Sequence, residues 1–255
     1  MKLRVIDVSE FQGNIDWEKV KLQIDGAILR CGYGMDLASQ DDGMFKRNAD
    51  ECTRLGIPFG VYLYSYADTE EKIRSEAAHA LRLVEGYKLA FPIYLDLEEA
   101  KVRPYALKHA EIFGDIIEAA GYWCGIYAGI YWWWNELNGL ERFTKWVPQY
   151  NSVLDYKGAN TDMWQYTCKG SINGISGDVD LNECYRDFPA EILGNVVADP
   201  EPAPEPAPAP EPAPVPESKS LYRIHVGEFE DKRTAENMVD YLDKLGVAGH
   251  IVEVN

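Results

Sequence analysis

Phe91-Pro92-Ile93-Tyr94-Leu95-Asp96-Leu97-Glu98-Glu99 is the stretch whose reading decides the fold. Side chains alternate faces along a strand, so Ile93, Leu95 and Leu97 share one face and Tyr94, Asp96 and Glu98 the other. The apolar face suits covering helices, and the acidic face then looks into the interior of a sheet closed on itself. At ~3.3 Å per residue, the Cα atoms of Asp96 and Glu98 lie roughly 6.6 Å apart. Two carboxylates in one pocket repel when both are ionised, so one keeps its proton to higher pH and can serve as a general acid. Protonation of a glycosidic oxygen requires such a group. Asp-x-Glu alone also fits a solvated strand end or a cation site, so its neighbours must decide.

Working outward, strand patterns recur at 4–8, 27–31, 59–64, 93–98, 124–127, 146–150, 163–166 and 177–181. Helical periodicity fills 17–23, 43–55, 69–85 and 104–120, and Gly56, Gly86 and Gly121 punctuate three of the helix ends. Strands alternating with helices imply a parallel sheet. Eight strand patterns with helices fading after the fifth predict an α/β fold, an irregular (β/α)5β3 TIM-like barrel over residues 1–193. That span is short for a full eightfold barrel of ~250 residues.

Barrel active sites lie at the C-terminal ends of the strands. Asp96 and Glu98 fall there, and so does Asp7 in Val5-Ile6-Asp7-Val8-Ser9. The last strand region, Gly177-Asp178-Val179-Asp180-Leu181-Asn182, offers Asp178 and Asp180. Tyr62, Tyr64, Tyr127, Gln149, Tyr150, Trp164 and Gln165 end other strands. Acids converging with aromatic and amide groups describe a cleft for sugar rings, although core packing is the commoner role of buried aromatics. Trp132-Trp133-Trp134 suits packing with a rim contact.

Bulk properties narrow the partners. Net charge is −17, from 25 basic and 42 acidic residues, which excludes a nucleic-acid binder and a polybasic membrane anchor. No apolar run reaches the ~20 residues of a membrane span. Residues 1–7 form a strand pattern without the basic, apolar, small-residue order of a secretory signal, so synthesis in the cytoplasm followed by another route to the wall is expected. The five cysteines, Cys31, Cys52, Cys124, Cys168 and Cys184, include no CxxC pair, and neither they nor the four histidines have metal-ligand spacing. Reduced, buried thiols are expected, with no metal and no cofactor.

Pro200 to Pro216 reads PEPAPEPAPAPEPAPVP, a run that cannot pack a core and favours an extended polyproline spacer. Residues 194–217 are therefore read as a linker. Residues 218–255 read as a small βαβ module with Ala235, Met238, Val239, Leu242 and Leu245 on one helix face. Some 38 residues fall below the size at which a lone core is stable, so this module is expected to pair with a second copy, as a weak homodimer, or to dock elsewhere.

Seven motifs then occur in order. They are Asp7-Val8-Ser9-x-x-Gln12-Gly13-x-Ile15-Asp16-Trp17, Ile28-Leu29-Arg30-Cys31-Gly32-Tyr33-Gly34, Gly60-Val61-Tyr62, Leu95-Asp96-Leu97-Glu98, Gly125-Ile126-Tyr127, Trp164-Gln165-Tyr166 and Val179-Asp180-Leu181-Asn182. Together they resemble glycoside hydrolase family 25, the Chalaropsis-type lysozymes of phage endolysins and bacterial autolysins. The resemblance implies a barrel whose last strands lack helices. It also implies cleavage of the β-1,4 bond between N-acetylmuramic acid and N-acetylglucosamine in peptidoglycan. By matching positions it makes Glu98 the general acid and Asp96 the stabiliser of positive charge near the anomeric carbon. Asp7 and Asp180 complete the acidic floor. It leaves open whether the substrate's 2-acetamido group or a carboxylate is the nucleophile. Tyr62-Leu63-Tyr64 stands where many relatives carry a histidine. Residues 222–246 resemble half of a sporulation-related (SPOR-type) glycan-binding repeat.

Two rival readings stay in view. A catalytically silent glycan-binding barrel would usually have lost an acid, and all four are present. A chitinase-type glycosidase would carry Asp-x-x-Asp-x-Asp-x-Glu, which is absent because Ile93 and Tyr94 precede Asp96.

Overall fold

The computed structural model describes residues 2–154, 156 and 161–194. Eight strands close into one barrel in chain order. They are β1 (Leu3–Val8), β2 (Gly26–Tyr33), β3 (Phe59–Tyr64), β4 (Ile93–Leu97), β5 (Cys124–Ala128), β6 (Thr144–Pro148), β7 (Met163–Gly170) and β8 (Val179–Cys184). Helices α1 (Trp17–Val20), α2 (Phe45–Leu55), α3 (Glu70–Val84), α4 (Ala106–Ala119) and α5 (Ile130–Asn135) follow the first five strands in turn. The expected linker beyond Gly194 and the expected βαβ module lie outside the described residues.

Strands β1 to β7 pair in parallel, but β8 runs antiparallel to both β7 and β1. This corrects the expectation of a parallel sheet throughout. Residues 171–178 span the gap between β7 and β8 with Gly174 and Gly177 at φ 108° and 85°. A parallel return needs a crossover of a dozen or more residues, so a connection this short must reverse the chain. Helix α5 is also absent from the sequence expectations. Its six residues, IYWWWN, show aromatic density rather than helical periodicity.

Helix ends follow local chemistry. The Thr69 side chain accepts from the Lys72 amide at the start of α3, and Glu70 and Glu71 sit in its positive first turn. Gly56 takes φ 66° to end α2, a conformation that costs other residues a Cβ clash. Helix α2 buries Phe45, Asn48, Ala49 and Cys52, the i, i+3, i+4, i+7 stripe of a helix lying on a sheet.

The core is double. An outer layer fills the space between strands and helices with residues such as Ile6, Leu29, Val61, Ile93, Leu95, Leu97, Ile126 and Val147. An inner layer fills the barrel with Leu3, Val5, Ile28, Tyr94, Trp146, Met163 and Cys184. The alternation read from 93–97 is thus the wall of the barrel seen edge on. Phe91, Trp123 and Phe188 close the floor, with Phe188 at 5.8 Å from Phe91 and 6.2 Å from Trp123 between ring centres. All five cysteines are free and four are buried; burial pushes the Cys31 and Cys184 thiols up to about 12, so they stay protonated. No helix among the described residues is long and apolar enough to cross a membrane.

Candidate active site

Packed side chains occupy the lower barrel, and carboxylates occupy its mouth. Asp7 near the end of β1 and Asp96 near the end of β4 point inward and are only 5% and 4% exposed. Glu98 stands just past β4 and is exposed to solvent. Asp180 enters from the opposite chain direction, at the start of β8, and is the register partner of Asp7. The reversal of β8 is what brings an acid from a strand's N-terminal end to a rim otherwise built from C-terminal ends.

Amide groups fix the orientation of Asp7. Gln165 Nε2 donates to both Asp7 oxygens at 3.2 and 3.1 Å, and Asn182 Nδ2 donates to Asp7 Oδ2 at 2.7 Å. Each amide is in turn fixed from behind. The Tyr127 and Tyr150 hydroxyls both donate to Gln165 Oε1 at 2.9 Å. Trp146 Nε1 donates to Asn182 Oδ1 at 2.8 Å. Because the oxygen of each amide already accepts, only its nitrogen can face Asp7.

Every acid of the cluster holds its proton more tightly than an ordinary carboxyl. Burial is the main cause for Asp7, and the charge of Asp180 adds to it against the opposing donors Asn182 and Gln165. Asp180 is raised by burial and by Asp178. Burial pushes Asp96 far up, helped by Glu98 and Asp7 and opposed by Arg30. Asp96 Oδ1 is buried without a hydrogen-bond partner. Glu98 keeps one side open to solvent, yet the protein packed around the other raises its carboxyl, and Glu99 and Asp180 raise it further. Such a set holds protons near neutral pH and can release one to a bound group.

The aromatic residues divide. Tyr127 and Tyr150 join the acid network through Gln165, and Tyr150 remains 54% exposed. Tyr62 packs edge-on against Trp146, and its phenol is raised by burial, then by Asp7 and Asp96. The Tyr64 hydroxyl donates to Glu99 Oε1 at 3.0 Å. Gln149 and Trp164, expected with these residues in the cleft, are turned elsewhere. Trp164 Nε1 donates to the Gln149 carbonyl at 2.7 Å, and Gln149 Oε1 accepts from the Tyr156 amide at 3.3 Å. The cause is parity: Gln165 faces inward, so Trp164 beside it faces away. Among the three consecutive tryptophans, Trp133 is buried and Trp134 is exposed.

Three contributors carried no role in the sequence expectations. Arg30 faces the interior from β2, bound to Asp42 at 2.7 Å and Glu10 at 2.8 Å, and it is the cation opposing the rise of Asp96. Asn182 and Trp146 form the second arm of the Asp7 frame. Inward parity on β2, β6 and β8 was the available signal for all three. Among the described residues, no group of three His, Cys, Asp or Glu side chains is arranged to hold a metal.

Comparison with known proteins agrees with this geometry. The autolytic lysozyme of Clostridium acetobutylicum is 26% identical over 204 residues, covering 78% of this chain and 60% of that protein. The chain therefore spans well under two thirds of that relative. The modular autolysin LytC of Streptococcus pneumoniae is 30% identical with a TM-score of 0.64, covering 72% of this chain and 47% of LytC. LytC has also been solved with a synthetic peptidoglycan ligand. The CTP1L endolysin is 25% identical with a TM-score of 0.65, over 75% of this chain and 69% of that one. The profile of Glycosyl hydrolases family 25 matches residues 6–175, two thirds of the chain, and to that family the protein belongs.

Proposed function

We propose that the protein is a peptidoglycan hydrolase, an N-acetylmuramidase that cleaves the β-1,4 bond between N-acetylmuramic acid and N-acetylglucosamine. Glu98 donates a proton to the glycosidic oxygen, a contribution of about 10²–10⁴-fold in rate. Asp96 carries the opposite task, facing the positive charge that develops at the anomeric carbon. Its unpartnered Oδ1 is placed to accept the N–H of a 2-acetamido group, which favours the substrate's own acetamido oxygen as nucleophile. Asp7 and Asp180 complete the floor. Tyr62, Tyr64, Tyr127, Tyr150 and Gln165 line the sugar path, and Gln149 and Trp164 brace the wall behind it.

One observation carries the reading: of the acids gathered at the mouth, Glu98 alone combines solvent exposure with a raised carboxyl, while Asp96 and Asp7 lie buried beneath it. Mass analysis of soluble fragments from purified cell wall tests it. Muramidase action leaves N-acetylmuramic acid at the new reducing ends and releases no new amino groups. Reducing-end N-acetylglucosamine, or freed amines, would overturn the bond assignment.

The wider setting rests on the relatives. The likeness to the CTP1L endolysin favours a phage endolysin acting on the wall from within. Residues 194–217 then act as a spacer and 218–255 as a wall-binding or dimerising module. Sedimentation and cell lysis by residues 1–193 beside the full chain separate these roles.

A further inference from the structure

Next to Glu98 the barrel rim carries a second cluster that the acid chemistry does not use. Tyr66, just after β3, meets Tyr33 edge-on at 6.2 Å and leans on Tyr64 at 5.1 Å between ring centres. Lys101, three residues past Glu98, places its Nζ over the Tyr66 ring, 4.6 Å from the centre. The charges of Glu98 and Asp96 help raise the Tyr64 phenol, so this cluster adjoins the acids.

The loop that presents Tyr66 is anchored from below. Glu76 of α3 is wholly buried and accepts from Ser65 Oγ at 2.6 Å and from the Tyr66 amide at 2.8 Å. A buried carboxylate costs several kcal/mol unless its lone pairs are filled, and here it organises the turn that sets the Tyr66 ring. Lys101 is exposed, and among the described residues no carboxylate lies within salt-bridge distance of it. Its charge reaches Asp68 and Glu76 only from further off. Asp68 is already paired with Lys72 at 2.5 Å, and Glu99 accepts from Tyr64.

A protein of net charge −17 with acids at its cleft repels any anion that approaches. An ammonium held on an aromatic ring beside the general acid offsets that repulsion at one point. We propose that Lys101 and Tyr66 form a subsite for a carboxylate carried on the glycan, either on the lactyl branch of a muramyl residue or on its peptide. The subsite rests on the muramidase reading and supplies discrimination against uncharged chitin-like chains, with Tyr66 covering the sugar's apolar face.

Calorimetry on the full chain bearing Glu98→Gln tests this with three tetrasaccharides: peptide-bearing muramyl, bare lactyl muramyl, and neutral chitotetraose. Lys101→Met should weaken at least one anionic ligand about tenfold, the worth of one charge-assisted contact, and leave chitotetraose within about twofold. Lys101→Arg should restore binding, and added salt should erase the difference. Which anionic ligand suffers identifies the carboxylate. Equal weakening of all three, or of none, would overturn the subsite. Fragment release by the Glu98→Gln protein would instead count against the role of Glu98, a separate failure visible by mass.

Discussion

Asp7 and Asp180 sit opposite each other across the antiparallel β1–β8 pair, two acids on one rung of the ladder. Both carboxyls are raised, and each is a proton reservoir for the mouth. A carboxyl raised above its unfolded value near 4 binds its proton more tightly in the folded state. Its penalty is therefore absent at low pH and grows as pH rises from about 4 through the folded value. Thermal melts from about pH 5 to about pH 8 should show falling stability, and Asp180→Asn should flatten that slope by removing the charge opposite Asp7. The same substitution should move the basic limb of kcat/KM to lower pH, because Asp180 also raises Glu98. A limb that moves upward would contradict that coupling.

Glu98→Gln should keep the wild-type melting temperature within about 2 °C, since the side chain is exposed, and lose cell-wall hydrolysis by about 10²–10⁴-fold. Reducing-sugar release from purified wall is the measurement. Activity within about tenfold of wild type would remove Glu98 from the acid role.

The amide frame makes a different prediction. Gln165→Leu strips Asp7 of one donor and leaves the Tyr127 and Tyr150 hydroxyls without their acceptor. A stability loss of about 1–3 kcal/mol is expected from the groups left unpaired, read by denaturant melts. Trp146→Phe removes only the donor that fixes Asn182, and should lower kcat with a stability cost near 1 kcal/mol or above.

A packing prediction stands apart from the chemistry. A Cβ at Gly114 on α4 would lie 2.1 Å from Phe143 Cζ. Gly114→Ala should therefore destabilise by about 1–3 kcal/mol despite the better helix propensity of alanine, and Phe143→Leu should recover part of the loss. Additive losses in the double variant would argue against the contact.

Much of this architecture is visible in chain order, and the reasons are physical. Ile93, Leu95 and Leu97 against Tyr94 and Asp96 gave the barrel wall because a strand of a small closed barrel has a different solvent on each face. Asp180 was legible as a residue but not as an antiparallel one; strand direction depends on the length of the preceding connection, whose ends are the least certain feature of a pattern. Glu76 and His79 of α3 read as the polar side of an amphipathic helix, yet both are buried under the loops after β3 and β2. Such burial is made by chain distant in sequence, and periodicity within α3 carries no trace of it. Gln149 and Trp164 were placed in the cleft by residue type, where parity alone would have turned Trp164 outward.

The reversed last strand also decides where the barrel can be extended. Because β8 starts at the acidic rim and ends below, the chain passes under the floor through Phe188 and leaves it by Gly194. Whatever sequence is grafted there begins on the side away from the cleft. Tails can then be lengthened, exchanged or lost over evolutionary time, or swapped at the bench, without rewriting the surface that meets the glycan.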